Sequence, residues 1–399
     1  MKMNYRANRH SWSTLPPETL AQIFSNLSLD QLMSVSLVCK HWATTVHSPS
    51  LWRTVEFNLG QANDKSATNP RFIDYILRRH ANHLREVSLR TDTSVESAEA
   101  ACLVLSRLVN SSLKTLTLMS SGKPVFLDVD GDRFTTALIV AIDQSPLKSL
   151  EIEHTLVDDP SLAVLVSSTS KTLQLLRIKS CPRLSPEGIL PLADHCRCLR
   201  ELSLSYSLLS DELLVALSSE KHVCLETLRV EAYPEPKPWP RLSDRAWLAL
   251  ARHSPNINLV LLNYITGEDG FAPLLASYIP VTHLYLGEEA STAIVARIGE
   301  CCPRLVELVV SSVSPGPIDQ ALISAAKGCP QLATVVLGDC ELSCSGFVEF
   351  VALCAERLRE LNVWESSLME DAKYDIASAI GRVSSLLGHS WAPEFIPIW

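Results

Sequence analysis

Cysteine and histidine residues are the first candidates for chemistry in this chain, which contains 12 cysteines among 399 residues. His195, Cys196 and Cys198 lie close together, and Cys340 and Cys344 form a second close group. Thiolates and imidazoles at such spacings can bind zinc, but a tetrahedral site usually takes two paired sets of ligands, which neither group supplies. We therefore expect no metal, and zinc at these residues is the alternative.

Motifs for enzymatic chemistry are missing from the sequence or incomplete in it. The chain has no G-x-S-x-G nucleophile turn, no phosphate-binding P-loop and no G-x-G-x-x-G dinucleotide motif. Residues 128–132 read DVDGD, like the start of a calcium-binding loop, but the full spacing and the terminal glutamate of such a loop are absent. We expect an inserted turn there, no cofactor, and no enzymatic activity.

The distribution of charge argues against nucleic acid as a partner. The net charge is −9, and residues 1–59 hold five basic and three acidic residues, so residues 60–399 carry −11. Phosphate binding needs clustered cations, which such an acidic body does not provide. The sequence has no run of 18 apolar residues and no apolar signal segment. We therefore expect no membrane association and a location in the cytoplasm, the nucleus or both.

A repeated pattern of apolar residues organises most of the chain. The pattern L-x-x-L-x-L, with other aliphatic residues allowed, occurs eleven times at intervals of 24 to 34 residues. Each copy ends in the alternation typical of a strand with one buried face, and a helical pattern follows it. A degenerate copy, Trp52/Val55/Phe57, precedes the series. The copies begin at Leu84, Leu113, Leu147, Leu173, Leu199, Leu225, Ile257, Val281, Leu305, Leu332 and Leu358.

One strand and one helix cannot bury their apolar sides alone, so such units must stack into a solenoid. The sequence therefore predicts an α/β fold with a curved parallel sheet inside and helices outside. Ser185, Ser210 and Ser243 precede three of the helical patterns and predict their N-caps. The series resembles leucine-rich repeats over roughly residues 80–387. Longer intervals place insertions at 119–133, at 232–242 and around 60–70.

Six cysteines occupy fixed positions relative to the repeats. Each lies three or four residues before a first repeat position, or three residues after a third one. The leucine-rich repeats that this chain resembles favour buried cysteine at such turns, and free thiols also pack as small apolar groups. We interpret them as structural thiols. They are Cys181, Cys196, Cys302, Cys329, Cys340 and Cys354.

Residues 12–57 differ from the repeats that follow. Apolar residues at helical spacing and two tryptophans predict a compact unit of three helices. About 45 residues can barely support a core of their own, so such a unit must lean on a neighbour or a partner. The segment closely resembles an F-box. The residues that carry this resemblance are Leu15, Pro16, Glu18, Ile23, Phe24, Leu27, Leu32, Val38, Cys39, Lys40, Trp42, Leu51 and Trp52.

An F-box followed directly by leucine-rich repeats is similar to the F-box/leucine-rich-repeat class of substrate receptors in SCF-type cullin–RING ubiquitin ligases. The resemblance implies that the F-box binds the adaptor subunit, and through it the cullin and RING subunits, while the repeats bind a protein substrate. Independently, a small unit with more apolar residues than it can cover is a natural docking surface. Packing within the unit is the alternative for each residue named here. At or beneath the adaptor interface we expect Leu15, Pro16, Ile23, Leu27, Leu32, Val38 and Trp42.

The concave face of the predicted sheet is the candidate substrate surface. Its later repeats carry apolar residues where water would favour polar ones, which is typical of an interaction site; strands that turn some of them inward are the alternative. Eleven strands at about 4.8 Å span about 48 Å, a length that suits a protein rather than a metabolite. The sequence does not decide whether the substrate must be phosphorylated. Arg229, together with Arg90, Arg177 and Lys179, supplies cations that can bind a phosphate group. The predicted substrate-binding residues are Arg90, Arg177, Lys179, Leu259, Leu261, Tyr285, Val309, Val336 and Trp364.

The sequence thus predicts three segments: an F-box at 12–57, a solenoid at 58–387 with about 11 repeats plus a degenerate first one, and an apolar tail at 388–399. We expect the tail to fold back onto the terminal repeats or the concave patch. The predicted function is non-catalytic substrate recognition in an SCF ubiquitin ligase. Two alternatives remain: an F-box scaffold outside ligase function, and a small-molecule receptor or enzyme that uses the concave face.

Overall fold

The protein is described by a computed structural model. The chain forms two compact units, Met1–Val157 and Asp158–Trp399, which we call the N-terminal and the C-terminal unit. The described residues are 15–60, 66–92, 94–109, 111–120, 131–143, 145–155, 157–234, 239–265, 272–287, 290–364 and 367–394. Residues 61–65, 121–130 and 235–238 of the three predicted insertions lie outside them, and these include Asp128, Val129 and Asp130 of the DVDGD segment.

The N-terminal unit begins with three short helices and continues with alternating strands and helices. The four strands pair in chain order, each parallel to the next. The elements are α1 (Pro17–Phe24), α2 (Leu29–Ser36), α3 (Lys40–Val46), β1 (Thr54–Asn58), α4 (Pro70–His80), β2 (Glu86–Thr91), α5 (Val95–Ser106), β3 (Thr115–Ser120), α6 (Gly131–Ile142) and β4 (Ser149–Glu153).

The C-terminal unit repeats the strand–helix alternation. Strands β5 to β12 pair in chain order and parallel, and the short β13 pairs with β11. The elements are α7 (Asp159–Ser168), β5 (Leu175–Lys179), α8 (Pro186–His195), β6 (Glu201–Ser205), α9 (Asp211–Leu217), β7 (Thr227–Ala232), α10 (Asp244–His253), β8 (Asn258–Asn263), β9 (Val281–Leu286), α11 (Thr292–Cys301), β10 (Glu307–Pro317), α12 (Asp319–Gly328), β11 (Thr334–Ser343), α13 (Cys344–Cys354), β12 (Glu360–Val363), β13 (Leu368–Met369) and α14 (Ile376–Leu387).

The repeated leucines form the core of each unit. In ten of the eleven copies the second and third positions of L-x-x-L-x-L are buried, as Leu202 and Leu204 of β6 illustrate. Each buried aliphatic side chain of this size contributes about 1.5–3 kcal/mol of transfer free energy. The predicted caps are present too: the hydroxyl of Ser210 accepts a hydrogen bond from the Leu213 amide at 3.1 Å. The α/β fold class, with a helical N-terminal segment and leucine-rich repeats after it, is confirmed.

Strand β8 departs from the predicted register by one residue. Leu259 and Leu261, expected on the open side of the sheet, are completely buried, whereas Val260 between them is only half-buried. Because side chains alternate along a strand, a slip of one residue exchanges the two faces. An irregularity follows in the pairing, where Leu259 lies opposite Val281 but Val260 lies opposite His283. The prediction for these two leucines was therefore wrong.

The tail returns to the end of the C-terminal unit, as far as residue 394. The indole of Trp391 is buried, donates from Nε1 to the Leu361 carbonyl at 2.7 Å, and lies 5.4 Å from the ring of Phe347. Glu394 donates its amide to the Val363 carbonyl at 2.8 Å. These contacts place 391–394 against the last strand of the sheet, whereas 395–399 lie outside the described residues.

Candidate functional sites

The three N-terminal helices form the first candidate surface. Leu20 and Phe24 of α1 are buried together with Leu32 of α2, and Trp52 is buried nearby. The Trp42 ring meets Phe24 edge-on at 5.3 Å. These residues occupy the inward side of a unit in which each helix has only seven or eight residues.

The outward side of this unit carries large apolar side chains. Leu37 is 85% exposed, Val38 61% and Ile23 40%, and Met33 is exposed as well. Leu37 and Val38 follow the last residue of α2, just before Cys39 caps α3. We call these four residues the head surface. Exposed apolar side chains grouped on a small unit are typical of a surface that binds a partner.

The residues predicted for adaptor binding divide into three levels of exposure. Pro16, Ile23 and Val38 are exposed; Leu15, Leu27 and Trp42 are half-buried. Leu32 is buried and lies beneath the surface rather than on it. Leu37 and Met33 of the head surface were not predicted, because sequence spacing alone does not show which side of α2 its neighbours cover.

The open face of the sheet in the C-terminal unit is the second candidate site, defined by the strand residues that alternate with the buried ones. Tyr285, Val309 and Val336 are half-buried and lie in register with Leu262 across β8 to β11, forming an apolar row in which Leu262 itself is buried. The slip in β8 thus replaces the predicted Leu261 with Leu262. Trp364 directly follows β12 and is half-buried. Its backbone forms a parallel bridge with Glu394.

A cluster of charged residues lies on β5 to β7 of this open face. Glu231 is buried and accepts hydrogen bonds from Arg229 Nε at 2.8 Å and from the Tyr233 hydroxyl at 2.6 Å. Lys179 Nζ lies 3.9 Å from Glu231 Oε2. Burial alone would raise the pKa of Glu231, but these hydrogen bonds and positive charges outweigh it and lower that pKa. Glu231 therefore stays ionised in the folded protein.

Tyr285 is fixed by an acidic neighbour in the apolar row. Its hydroxyl donates to Glu307 Oε1 at 2.7 Å. Burial, and then the hydrogen bond and charge of Glu307, raise the pKa of Tyr285 to about 12. The tyrosine is thus held as a neutral donor whose ring stays in the row, and it offers no nucleophile at neutral pH. Arg90, also predicted for substrate binding, lies on β2 in the N-terminal unit, where Nε contacts Glu56 at 2.5 Å.

Of the candidates for metal and thiol chemistry, Cys196, Cys340 and Cys344 are buried, Cys198 is half-buried and His195 is exposed. Burial raises the pKa of the Cys196 thiol to about 12 and that of Cys340 to about 12, so both are protonated at neutral pH. Across the residues that the structure describes, no three His, Cys, Asp or Glu side chains are grouped to hold a metal ion. In the same residues no helix is both long enough and apolar enough to cross a membrane.

A recess of about 740 Å³ lies on the helical side of the N-terminal unit. Apolar side chains of α4 and α5 line it, including Ile73, Leu77 and Leu103, and the ion pair between Arg107 and Asp74 stands at its wall. None of the predicted site residues lines this recess. The residues of the head surface do not line it either.

Comparison with known proteins agrees with this architecture. A family model described as F-box-like matches residues 12–58. F-box/LRR-repeat protein 21 of Mus musculus is 46% identical over 394 residues, which cover 97% of this chain and 91% of that protein. The Bos taurus protein of that name is 43% identical over 400 residues, covering 99% and 92%. A helical F-box-like head followed by parallel strand–helix repeats defines an F-box protein with leucine-rich repeats. The chain belongs to the F-box/LRR-repeat family.

A solved structure also aligns with most of the chain. It is described as the crystal structure of the Rad7 and Elc1 complex in yeast, and the alignment covers 96% of this chain and 88% of that chain. The TM-score is 0.44 and the sequence identity is 14%.

Proposed function

We propose that this protein is a non-catalytic substrate-recognition subunit of an SCF-type ubiquitin ligase. In this proposal the N-terminal helices bind the adaptor subunit, which links the chain to the cullin and RING subunits, and the open face of the repeats binds a protein substrate. The observation that carries the proposal is the head surface. Its side chains Ile23, Leu37 and Val38 are exposed and do not take part in the core of the helical unit.

The energetics of the head surface support protein docking. Covering an exposed aliphatic side chain contributes about 1.5–3 kcal/mol, so a few such residues offset the entropic cost of association. The unit is internally fixed, since His41 Nε2 lies 2.8 Å from the Leu15 carbonyl and joins α3 to the start of α1. The capping box between Ser28 and Gln31 fixes the start of α2. A surface ordered in advance loses less freedom when it binds.

Leu15, Pro16, Ile23, Leu27, Val38 and Trp42 belong to this proposed adaptor surface, with Leu32 supporting it from beneath. In the same proposal Arg177, Lys179, Tyr285, Val309, Val336 and Trp364 contribute to substrate binding on the C-terminal unit, and Arg90 is a further proposed contact on the N-terminal unit. The chain itself performs no bond chemistry: it holds a substrate lysine near ubiquitin carried by other subunits. Such tethering raises the effective concentration of the lysine.

Affinity capture from cells tests the division between adaptor and substrate surfaces. The full chain is compared with Pro16→Ala/Leu27→Ala, and with Val215→Ala as a control at an exposed apolar position on α9. We expect the adaptor to disappear from the double variant, while proteins bound to the repeats remain. Adaptor retained at the wild-type level by the folded double variant would contradict the proposal.

Reconstitution distinguishes a ligase subunit from a scaffold. A protein captured through the repeats is incubated with ubiquitin, the activating and conjugating enzymes and the assembled SCF complex. Ubiquitin chains on the captured protein that require this chain support a substrate receptor. Adaptor binding without such chains would leave only the scaffold function.

A further inference from the structure

A second row of residues lies beside the apolar row on the open face of the C-terminal unit. His283, Glu307, Thr334 and Glu360 are in register across β9 to β12, and we call them the acidic row. Glu360 is exposed and Glu307 is half-buried. Each member precedes its strand's member of the apolar row by two residues, so the two rows run about 7 Å apart.

The strands that carry these rows are uniformly negative. Strands β8 to β12 contain four carboxylates but no lysine or arginine. Over residues 258–364 the sequence has five basic and twelve acidic residues, a net charge of −7. All five basic residues stand outside the strands, on α11 and α12 or in the turns before β10 and β12. The four strand carboxylates are those of Glu307, Asp339, Glu341 and Glu360.

The carboxylates of the acidic row are held by uncharged donors and one imidazole. Glu307 Oε1 accepts a hydrogen bond from the Tyr285 hydroxyl at 2.7 Å, and Glu307 Oε2 lies 3.9 Å from His283 Nε2. Glu360 Oε1 accepts from the Asn362 side-chain amide at 3.1 Å. Among the described residues, no lysine or arginine forms an ion pair with either glutamate. These contacts fix the direction of the carboxylates, and the hydroxyl and amide donors leave their negative charge in place.

Two arginines lie close to this face, and together they leave most of its charge uncompensated. Arg229 on β7 donates to the buried Glu231 at 2.8 Å, so its charge is already matched on its own strand. Arg359 is exposed one residue before Glu360 and offsets at most one of the four strand carboxylates. A cationic ligand is therefore attracted to β9–β12, and an anionic one is repelled.

The spacing of the two rows suits an amphipathic helix. A helix is about 10–12 Å wide, so one helix can cover both rows. The apolar row crosses four strands, or about 14 Å, which about ten helical residues span. An extended segment would turn every second side chain away from the sheet, whereas a helix presents an apolar stripe and its charged flank together.

We infer that this face binds an amphipathic helix of the protein substrate, with the apolar stripe on the apolar row and lysine or arginine side chains against Glu307 and Glu360. The inference rests on the proposed function, since it names the chemistry that the substrate presents. It adds both glutamates to the substrate-binding residues of the open face. Apolar contact supplies affinity here, while the carboxylates orient the helix and select against acidic ones.

Peptide binding to the purified full chain tests the inference. The probe is a fluorescein-labelled helical peptide of Leu, Lys and Ala, with Leu along one face and Lys on its flanks. Matched peptides carry Gln or Glu in place of every Lys, or the same residues in scrambled order. By fluorescence anisotropy we expect the Lys peptide to bind more tightly than the others and to weaken as salt rises. Equal binding of the Gln or scrambled peptide, or tighter binding of the Glu peptide, would overturn the inference.

Variants locate the binding. Glu360→Lys reverses an exposed charge of the acidic row, so it should weaken the Lys peptide about tenfold and leave the Gln peptide unchanged. Glu349→Lys, the same charge change at an exposed position on α13, is the control and should bind like the wild type. Val309→Thr keeps the volume of the side chain but adds a hydroxyl to the apolar row, and it should weaken both peptides. Equal affinity of Glu360→Lys and wild type for the Lys peptide would refute the assignment.

Adaptor capture by the same preparations keeps the two proposals apart. Normal adaptor binding by a wild-type chain that shows no preference for the Lys peptide contradicts only this inference. Failure of the wild type to bind the adaptor contradicts the proposed ligase function instead.

Discussion

The carboxylate of Asp159 holds the cap of the next helix along the chain. It accepts hydrogen bonds from the Ser185 amide at 2.8 Å and from the Ser185 hydroxyl at 2.6 Å. Ser185 in turn accepts from the Gly188 amide at 3.0 Å and so caps α8. Asp319 and Ser343 repeat the arrangement, with distances of 3.0 and 2.7 Å. Neighbouring repeats are therefore joined through the starts of their helices as well as through the leucine core.

We expect Asp159→Ala to lower the free energy of unfolding by about 1–3 kcal/mol, because it removes two partners from a half-buried cap. Gly188→Ala should be destabilising for a different reason: a Cβ atom there would lie 1.9 Å from Asp159 Oδ1. Since both effects involve one carboxylate, the double variant should lose less than the two single variants together. Urea denaturation of the four proteins measures this coupling. Additive losses would show that the carboxylate and the glycine do not interact.

His80 should make the stability of the N-terminal unit depend on pH. The ring is 3% exposed and stacks on Trp52 at 4.6 Å, and neither ring nitrogen has a hydrogen-bond partner among the described residues. Burial, and then the charges of His47, His83 and Arg79, lower its pKa from 6.5 to about 4. A lowered histidine pKa means that the unfolded chain binds the proton more readily. The contribution of His80 to the free energy of unfolding is therefore complete above pH 6.5. It falls by about 3 kcal/mol as the pH drops to 4.

Denaturation curves between pH 7 and pH 4 test this dependence. His80→Phe keeps an aromatic ring against Trp52 but cannot bind a proton. The free energy of unfolding of this variant should therefore fall less between pH 7 and pH 4 than that of the wild type. Part of the slope should remain, because burial and the charge of Arg79 also lower the pKa of His47. His195→Phe, at an exposed position in the C-terminal unit, is the control. An unchanged slope in His80→Phe would rule out this histidine as the cause.

The register of β8 makes a third prediction. Leu261 is completely buried, so Leu261→Ala should cost about 2–5 kcal/mol of unfolding free energy. Val260 is only half-buried, and Val260→Ala should cost less. The L-x-x-L-x-L template gives the opposite order, since it points Val260 inward. Chemical denaturation of the two variants decides between these registers.

The contacts of Trp391 predict that the tail stabilises the end of the C-terminal unit. Trp391→Ala should lower the free energy of unfolding by about 3–5 kcal/mol, as expected when a buried tryptophan is removed. Deleting 388–399 should have at least this effect on the melting temperature, whereas deleting only 395–399 retains Trp391 and is the matched control. An unchanged melting curve after the longer deletion would show that the Trp391 contacts do not contribute.

The strands were predictable because their apolar residues recur in a fixed pattern, and in ten of the eleven copies the second and third positions are buried. The failure at β8 has a simple cause: residues 259–262 read LVLL, so either alternate pair can turn inward. Only the pairing with the flanking strands decides between them, and sequence spacing carries no information about it. Leu37 shows a similar limit in the helical head, because the sequence does not show that this leucine is 85% exposed.

The charged cluster could be predicted only in part. Arg177 and Lys179 were identified by their positions on the open face, but the partner that fixes Lys179 lies two strands away. Glu231 and Tyr233 have no motif spacing, and they meet Lys179 only because stacking brings β5 and β7 about 10 Å apart. Contacts between distant repeats depend on side-chain length and orientation, so they become visible only in the folded chain.

Binding of the purified SCF adaptor subunit to the full chain, measured by calorimetry, tests the central claim most directly. The wild type and Val215→Asp, a control at an exposed position on α9, should bind with equal affinity. Ile23→Asp/Val38→Asp should fold normally and lose binding by about 100-fold or more, because two carboxylates would be buried without partners. Equal binding by the double variant, or no binding by the wild type, would contradict the account.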